Sequence, residues 1–322
     1  MRTAHTVTAA GAMSADAANA VLAPVLDELR AVCDFGPVTP DLDELPDVEL
    51  LVTGWGCPPI TESALQRLPS LKAIVHTAGS VKGFVTDACW DRGIVVSSAA
   101  AANAVPVAEY TVAMILLSGK RVLERARDYR RTRHIPFLET PMTTGNFGAT
   151  VGILSASMIG RRVVELLRPY DFHVLVHDPF VTEVDGAESV GLADLFARSD
   201  VVSVHTPLLP ETTGLVSREL LGLLRDDAVL INTARGAVVD QDALVHEIGR
   251  IRAVLDVTDP EVLPADHPLW HSDNVLITPH LAGSQGNEWG RLARHAVDEV
   301  RRWANGEPFQ TPVPAERRER IA

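Results

Sequence analysis

Arg235 in NTARGAVVD, Glu261 in LDVTDPEVLP and His280 in ITPHLAG each follow an apolar run that reads as a strand, at spacings of 26 and 19 residues. In an open α/β sheet, ligands bind at such strand ends. The three residue types suit reduction of a carbonyl that sits beside a carboxylate. The Arg235 guanidinium can hold the carboxylate bidentately and polarise the adjacent carbonyl. His280 can give a proton to the oxygen as hydride reaches carbon, and a carboxylate at Glu261 favours the imidazolium near neutrality. Taken singly each has a plainer reading, as a solvated turn arginine, a surface glutamate beside proline and a histidine satisfied by backbone. Their shared register with strand ends sets them apart.

Residues 150–179, TVGILSASMIGRRVVELLRPYDFHVLVHDP, supply the element that would position a cofactor. Thr150 to Leu154 is an apolar run suited to a buried parallel strand, and Ile159 to Leu167 has helical apolar spacing. The turn Ser155, Ala156, Ser157, Met158, Ile159, Gly160 would aim backbone N–H groups and a helix N-terminus at a pyrophosphate. Asp178 ends the next strand, Phe172 to His177, where an acid reaches ribose hydroxyls and repels a 2'-phosphate, which favours NAD over NADP. The G-x-G-x-x-G fingerprint is met only at Gly160. Ser155 and Ser157 stand at the other two glycine positions, each at a cost of ~1–2 kcal/mol wherever its backbone is left-handed. A hydroxyl there could instead hydrogen-bond the phosphate, and an ordinary βαβ crossover is the alternative reading of the segment.

In the first hundred residues Glu49 to Thr53, Ala73 to His76 and Ile94 to Ser97 alternate with helix-like segments such as Glu62 to Leu68, an α/β pattern with a parallel sheet. From Asn103 a long helical pattern runs to Arg131, with Asn103 as cap and Pro106 in the opening turn. Val201 to Val204, Ala228 to Ile231, Ala253 to Val257 and Asn274 to Thr278 complete about six strands of a doubly wound sheet. Gly286 to Asn305 is helical and is expected to return to the first domain. The expected fold is α/β with two Rossmann-like domains: a dinucleotide-binding domain, 103–282, inserted in a discontinuous flavodoxin-like substrate domain, 1–102 and 283–322.

The chain has 322 residues, 46% hydrophobic and 22% charged, with a net charge of -13. That balance suits a globular protein and argues against nucleic-acid or anionic-membrane partners. No stretch is expected to reach the length of a membrane span. Cys33, Cys57 and Cys89 form no C-x-x-C pair, and nothing nearby activates Cys57 as a nucleophile. With no signal-peptide core, a cytoplasmic location is expected. The H-x-x-x-H pairs His173/His177 and His267/His271 fall on a strand and beside Pro268, so no metal is expected.

In combination, NAVPVAEYTVAMIL, SASMIG with Asp178, SDVVSVHTPLLPETTGLV, LINTARGAVVDQDAL, AVLDVTDPE and TPHLAG resemble, in order, the D-isomer-specific 2-hydroxyacid dehydrogenase family, which includes phosphoglycerate, glycerate, lactate and phosphite dehydrogenases. The resemblance implies that Arg235 binds the substrate carboxylate, that Glu261 partners His280, and that His280 is the general acid or base. It further implies that Asp256 lies by the nicotinamide carboxamide, that His205, Thr206 and Pro207 line the cofactor, and that Thr233 and Ala234 offer backbone to it. Ala78, Gly79, Ser80 and Val81 match a loop whose amides grip the substrate carboxylate, and Asn103 opens the helix facing the site.

The chain also departs from the family pattern. Lys82 follows the loop where aspartate or asparagine is frequent, and could meet a second anionic group or simply be solvated. Val262 replaces a proline after Glu261. Trp55, on a glycine-flanked loop, could wall the substrate pocket. Glu261 argues against a formate dehydrogenase, which has an amide there; phosphite oxidation is harder to set aside. The function expected is hydride transfer between NAD(H) and C2 of a small 2-oxoacid or D-2-hydroxyacid, with domain closure around a cleft. The segment from Asn103 to Phe147 resembles a dimer arm, so a homodimer is expected. The alternative is an NAD-sensing or scaffold protein with little turnover.

Overall fold

In the computed structural model, which describes residues 7–135, 141 and 144–317, alternating strands and helices build two parallel sheets. The chain divides into two units, Met1–Asn103 with Ser284–Ala322, and Ala104–Gly283.

In the first unit, β1 (Thr8–Ala12), β2 (Asp34–Thr39), β3 (Leu50–Thr53), β4 (Ala73–His76) and β5 (Val95–Ser98) pair in parallel in the order β2-β1-β3-β4-β5. This is a flavodoxin-like order whose switch point falls between β1 and β3. Sequence patterning finds β3 to β5 but overlooks β1 and β2, because TAAGA and DFGPVT lack a β-branched apolar run. Close packing demands glycine in the middle of β1: a Cβ on Gly11 would come within 2.8 Å of Val38. β2 is an edge strand, where Pro37 is tolerated.

The helix Trp289–Ala304 returns to this unit and buries Leu292, Ala293, Ala296, Val297 and Val300, at helical spacing, among Leu50, Val52, Ala73 and Val75. From the same helix the buried Glu299 carboxylate accepts hydrogen bonds from Ser97 Oγ (2.7 Å), Thr311 Oγ1 (2.8 Å) and the amides of Gln310 and Thr311 (2.9 Å each). Burial pushes the carboxyl up, but these bonds outweigh it and hold it below the usual range. They tie the following segment to β5, where Val313 N donates to Val96 O.

In the second unit, β6 (Thr150–Leu154), β7 (His173–His177), β8 (Glu188–Ser189), β9 (Val201–Val204), β10 (Val229–Asn232), β11 (Arg252–Leu255) and β12 (Val275–Ile277) lie in the order β12-β11-β10-β9-β6-β7-β8, every pair parallel. The direction of winding reverses between β6 and β9, as in dinucleotide-binding sheets. β8 escapes sequence patterning because it is two exposed polar residues.

The long helical pattern is two helices, Ala100–Gly119 and Val122–Thr132, rather than one. At the break Arg121 turns left-handed at φ 54°, and Gly119 lets Asn146 close over the helix end, where Nδ2 donates to Leu116 O at 3.1 Å and a Cβ on residue 119 would overlap Oδ1. The first helix begins before Asn103, so Asn103 does not cap it and Pro106 is interior; the Asn103 side chain accepts from Ser284 N at 2.9 Å. At 20 residues this helix is long and apolar enough to cross a membrane by length and composition, which corrects the expectation that no stretch is. Its Ala108, Val112 and Ile115 pack with Val151, Ile153, Val229 and Ile231 in the core of the second unit. The second helix buries none of its residues. Positions 136–140, 142 and 143 of the expected dimer arm lie outside the described residues.

Candidate active site

Arg235, Glu261 and His280 lie on the loops that follow β10, β11 and β12, three adjacent strands of the second unit. Asn232 folds the first loop: its Oδ1 accepts from Ala234 N (3.0 Å) and its Nδ2 donates to Arg235 O (2.9 Å). Gly236 then lets this loop meet the next, since a Cβ there would sit 2.1 Å from the Thr258 carbonyl carbon. Arg235 is half-buried and donates from Nη1 to Ala234 O at 2.6 Å. Burial lowers the pKa of its guanidinium, and nearby Glu261 opposes that shift.

His280 has left-handed backbone, φ 51°, and its N–H donates to Asp256 O and Thr278 O, each at 2.9 Å. Beneath it the Asp256 carboxylate, 1% exposed, organises the loop. Oδ1 accepts from Thr278 Oγ1 (2.6 Å) and Leu281 N (2.9 Å), and Oδ2 from Ala282 N (2.9 Å). Thr278 gives its single proton to Asp256, so Tyr110, 2.8 Å away, donates to Thr278. Burial raises the Tyr110 pKa, with the Thr278 bond opposing, so the phenol keeps its proton. Sequence patterning missed Asn232, Thr278 and Tyr110; the first two carry a signal, being polar residues at strand ends, and Tyr110 carries none.

His280 Nδ1 lies 2.7 Å from Glu261 Oε1. A carboxylate only accepts, so Nδ1 carries the proton of that bond and Nε2 is the nitrogen left to face a ligand. Both side chains are about half exposed, 51% for His280 and 57% for Glu261, so a ligand can reach them.

At the switch point the turn after β6 departs from expectation at each serine differently. Ser155 is left-handed, φ 82°, the conformation that costs a side chain ~1–2 kcal/mol. Its hydroxyl points to Asp178, donating to Oδ2 at 3.1 Å, rather than being left for a phosphate. Ser157 is extended, φ -62°, and strain-free; it caps the helix Met158–Leu167 by accepting from Gly160 N at 3.3 Å. Gly160 is needed, because a Cβ there would lie 2.1 Å from Ser155 O. Ala156 is buried, Ile159 partly so, and Met158 exposed. Asp178 also accepts from Ala156 N and, through Oδ1, from Phe180 N, each at 2.9 Å.

These residues fit a dinucleotide. Gly160 N is taken by Ser157, but the amides that open the helix, those of Met158 and Ile159, have no intrahelical acceptor, and an acid stands at the end of β7. Across the switch point, His205 Nδ1 is buried with no hydrogen-bond partner among the described residues, while Nε2 meets Ser203 Oγ at 2.9 Å. Burial pushes His205 down to about 3, so it is neutral at physiological pH. Thr206 is buried beside Leu154 O, Pro207 follows, and buried Thr233 pairs with Thr111 at 3.2 Å, next to Ala234.

The first unit holds Trp55, Ala78, Gly79, Ser80, Val81, Lys82 and Asn103, on the loops after β3 and β4 and in the helix after β5. Ser98 Oγ donates to Ala78 O at 3.1 Å. A Cβ on Gly79 would be 3.9 Å from Asn103 Nδ2. Val81 is buried in the core, whereas Trp55 and Lys82 are exposed. Burial pushes the Cys57 thiol up to about 12, which keeps it protonated and inert. Among the described residues no three His, Cys, Asp or Glu side chains converge as metal ligands.

A doubly wound sheet with a helix-opening turn at its switch point and a carboxylate–histidine pair at its strand ends is an architecture of nucleotide-dependent dehydrogenases. Residues 112–282, more than half of the chain, match the description "D-isomer specific 2-hydroxyacid dehydrogenase, NAD binding domain". The chain belongs to the D-isomer specific 2-hydroxyacid dehydrogenase family of oxidoreductases.

Among its relatives, D-3-phosphoglycerate dehydrogenase of Mycobacterium leprae is 31% identical over 77% of this chain and 48% of its own length. (S)-Sulfolactate dehydrogenase of Chromohalobacter salexigens is 34% identical over 76% of this chain and 81% of its own. The chain thus spans about half the length of the phosphoglycerate dehydrogenases it matches. A 2-hydroxyacid dehydrogenase from Xanthobacter autotrophicus Py2, solved with NADPH and MES, superposes with TM-score 0.79 at 26% identity, over 98% of this chain and all of that one.

Proposed function

We propose that this chain interconverts a small 2-oxoacid and its D-2-hydroxyacid with NAD(H). The observation that carries the reading is the 2.7 Å bond from His280 to Glu261, set in the same sheet as the Ser155–Gly160 turn. NAD(H), when bound, supplies or accepts the hydride at C2. The turn residues 155–160 would hold its pyrophosphate and Asp178 its ribose, with His205, Thr206, Pro207, Thr233, Ala234 and Asp256 on the nicotinamide side. In reduction, His280 gives a proton from Nε2 to the carbonyl oxygen, and in oxidation takes one back. Glu261 orients the ring and balances the charge of the imidazolium. Arg235 neutralises the carboxylate and polarises the carbonyl.

In the first unit, Ala78, Gly79, Ser80 and Val81 offer backbone amides to the substrate carboxylate, with Trp55, Lys82 and Asn103 as further substrate contacts. Preference for NAD over NADP rests on the charge of Asp178. Three unpaired cysteines suit a reducing cytoplasm.

The test is a screen of small 2-oxoacids followed by NADH consumption, with NADPH in parallel. Turnover of at least one acid, faster with NADH, is expected. NADH binding without turnover of any acid would shift the reading to a nucleotide-sensing or scaffold protein. The helix Val122–Thr132, which buries none of its residues, belongs with a homodimer arm in this reading. Light scattering is expected to give twice the mass of the chain, and a monomer would remove the dimer from it.

A further inference from the structure

We propose that Ser155 is a specificity-determining positioning residue, whose hydroxyl locks the Asp178 carboxylate so that it rejects a 2'-phosphate. The proposal rests on the cofactor reading above. Position 155 has the backbone of a glycine, φ 82°, yet carries a side chain. That side chain makes a specific contact, since Oγ donates to Asp178 Oδ2 at 3.1 Å. Ala156 N donates to the same oxygen and Phe180 N to the other, each at 2.9 Å. Three donors from two directions thus hold one partly exposed carboxylate.

A carboxylate held by three donors resists swinging aside when a second anion approaches, and the Ser155 hydroxyl adds the third, so more of the repulsion between it and a 2'-phosphate is kept. With glycine at 155, the two amides of Ala156 and Phe180 remain and the third donor is lost, so the carboxylate yields more readily to an approaching anion. The hydroxyl proton is committed to Asp178 as well, so Ser155 presents lone pairs rather than a donor to any phosphate nearby. Both effects act in one direction: the serine weakens the grip on phosphate groups and sharpens the distinction between the two cofactors. The diol of NADH still finds free lone pairs on the carboxylate, whereas the phosphomonoester of NADPH meets a fixed charge.

The test is direct binding of NADH and NADPH, by quenching of protein fluorescence, to the wild type, Ser155→Gly and Ser155→Ala. Wild type is expected to prefer NADH. In Ser155→Gly, which suits a left-handed backbone and folds without strain, the Kd ratio of NADPH to NADH is expected to contract by roughly five-fold, the effect of one lost hydrogen bond. Ser155→Ala, which lacks only the hydroxyl, should contract it similarly. An unchanged ratio in a folded Ser155→Gly protein overturns the proposal. So does a contraction in the glycine variant but not the alanine one, which would assign the effect to backbone freedom. Wild-type protein that binds neither cofactor removes the cofactor reading itself, a result separate from either of these.

Discussion

Replacing His280 by alanine is expected to lower kcat for 2-oxoacid reduction by about 10³-fold, within the range a positioned general acid contributes, while the Kd for NADH changes by no more than about two-fold. The asymmetry follows from geometry. Nδ1 is taken by Glu261 at 2.7 Å, so Nε2 is the atom that exchanges a proton with substrate, and the imidazole is no part of the dinucleotide turn. Stability should hardly change: Glu261 and His280 are both about half exposed, and water can take over the partner that each loses. Glu261→Gln is the companion variant. Its amide oxygen can still accept from Nδ1, which keeps the ring in place but removes the charge opposite the imidazolium, so a smaller loss, roughly 10- to 100-fold, is expected. Steady-state rates with NADH in excess, beside a binding titration, check both. Wild-type turnover in the alanine variant would remove His280 from the chemistry.

How far the sequence makes this legible depends on what each residue does. β6 and β9 to β11 announce themselves as apolar runs because they are buried between layers, β7 and β12 are apolar and partly buried, and the order of those runs along the chain already implies a doubly wound sheet. β1 does not, since it is mostly alanine and its Gly11 answers to the close approach of Val38 rather than to strand propensity. The break at Gly119 is hidden for a similar reason: only the fold brings Asn146 against it. Arg235, Glu261 and His280 were visible as types at strand ends, but their convergence was not. It depends on Gly236, whose missing side chain admits the Thr258 backbone, and on a network from Tyr110 through Thr278 to Asp256 that spans positions far apart in the chain. Ser155 and Ser157 look equivalent in the fingerprint, and only the backbone separates them into a strained contact to Asp178 and an ordinary helix cap.

Asp256→Ala is expected to reduce both stability and turnover, the first by roughly 2–4 kcal/mol in urea unfolding and the second by about 100-fold in kcat. The buried carboxylate accepts from Leu281 N, Ala282 N and Thr278 Oγ1, and alanine would take that acceptor from all three donors, the Ala282 amide lying in a buried residue. Those donors bracket His280, whose left-handed backbone is itself unfavourable by ~1–2 kcal/mol and persists because its neighbours on either side are held. Once they are released, the loop relaxes and Nδ1 no longer stays in register with Glu261. Asp256→Asn separates the two contributions. Its single carbonyl oxygen can keep the bonds to Thr278 and Leu281 while its NH2 group faces the Ala282 amide, donor against donor, so it should recover part of the rate and part of the stability together. Parallel recovery is the signature of a residue that acts through the position of His280. A folded Asp256→Ala protein of wild-type stability, defective only in NADH binding, would instead put the carboxylate to work on the cofactor, where the family resemblance places it.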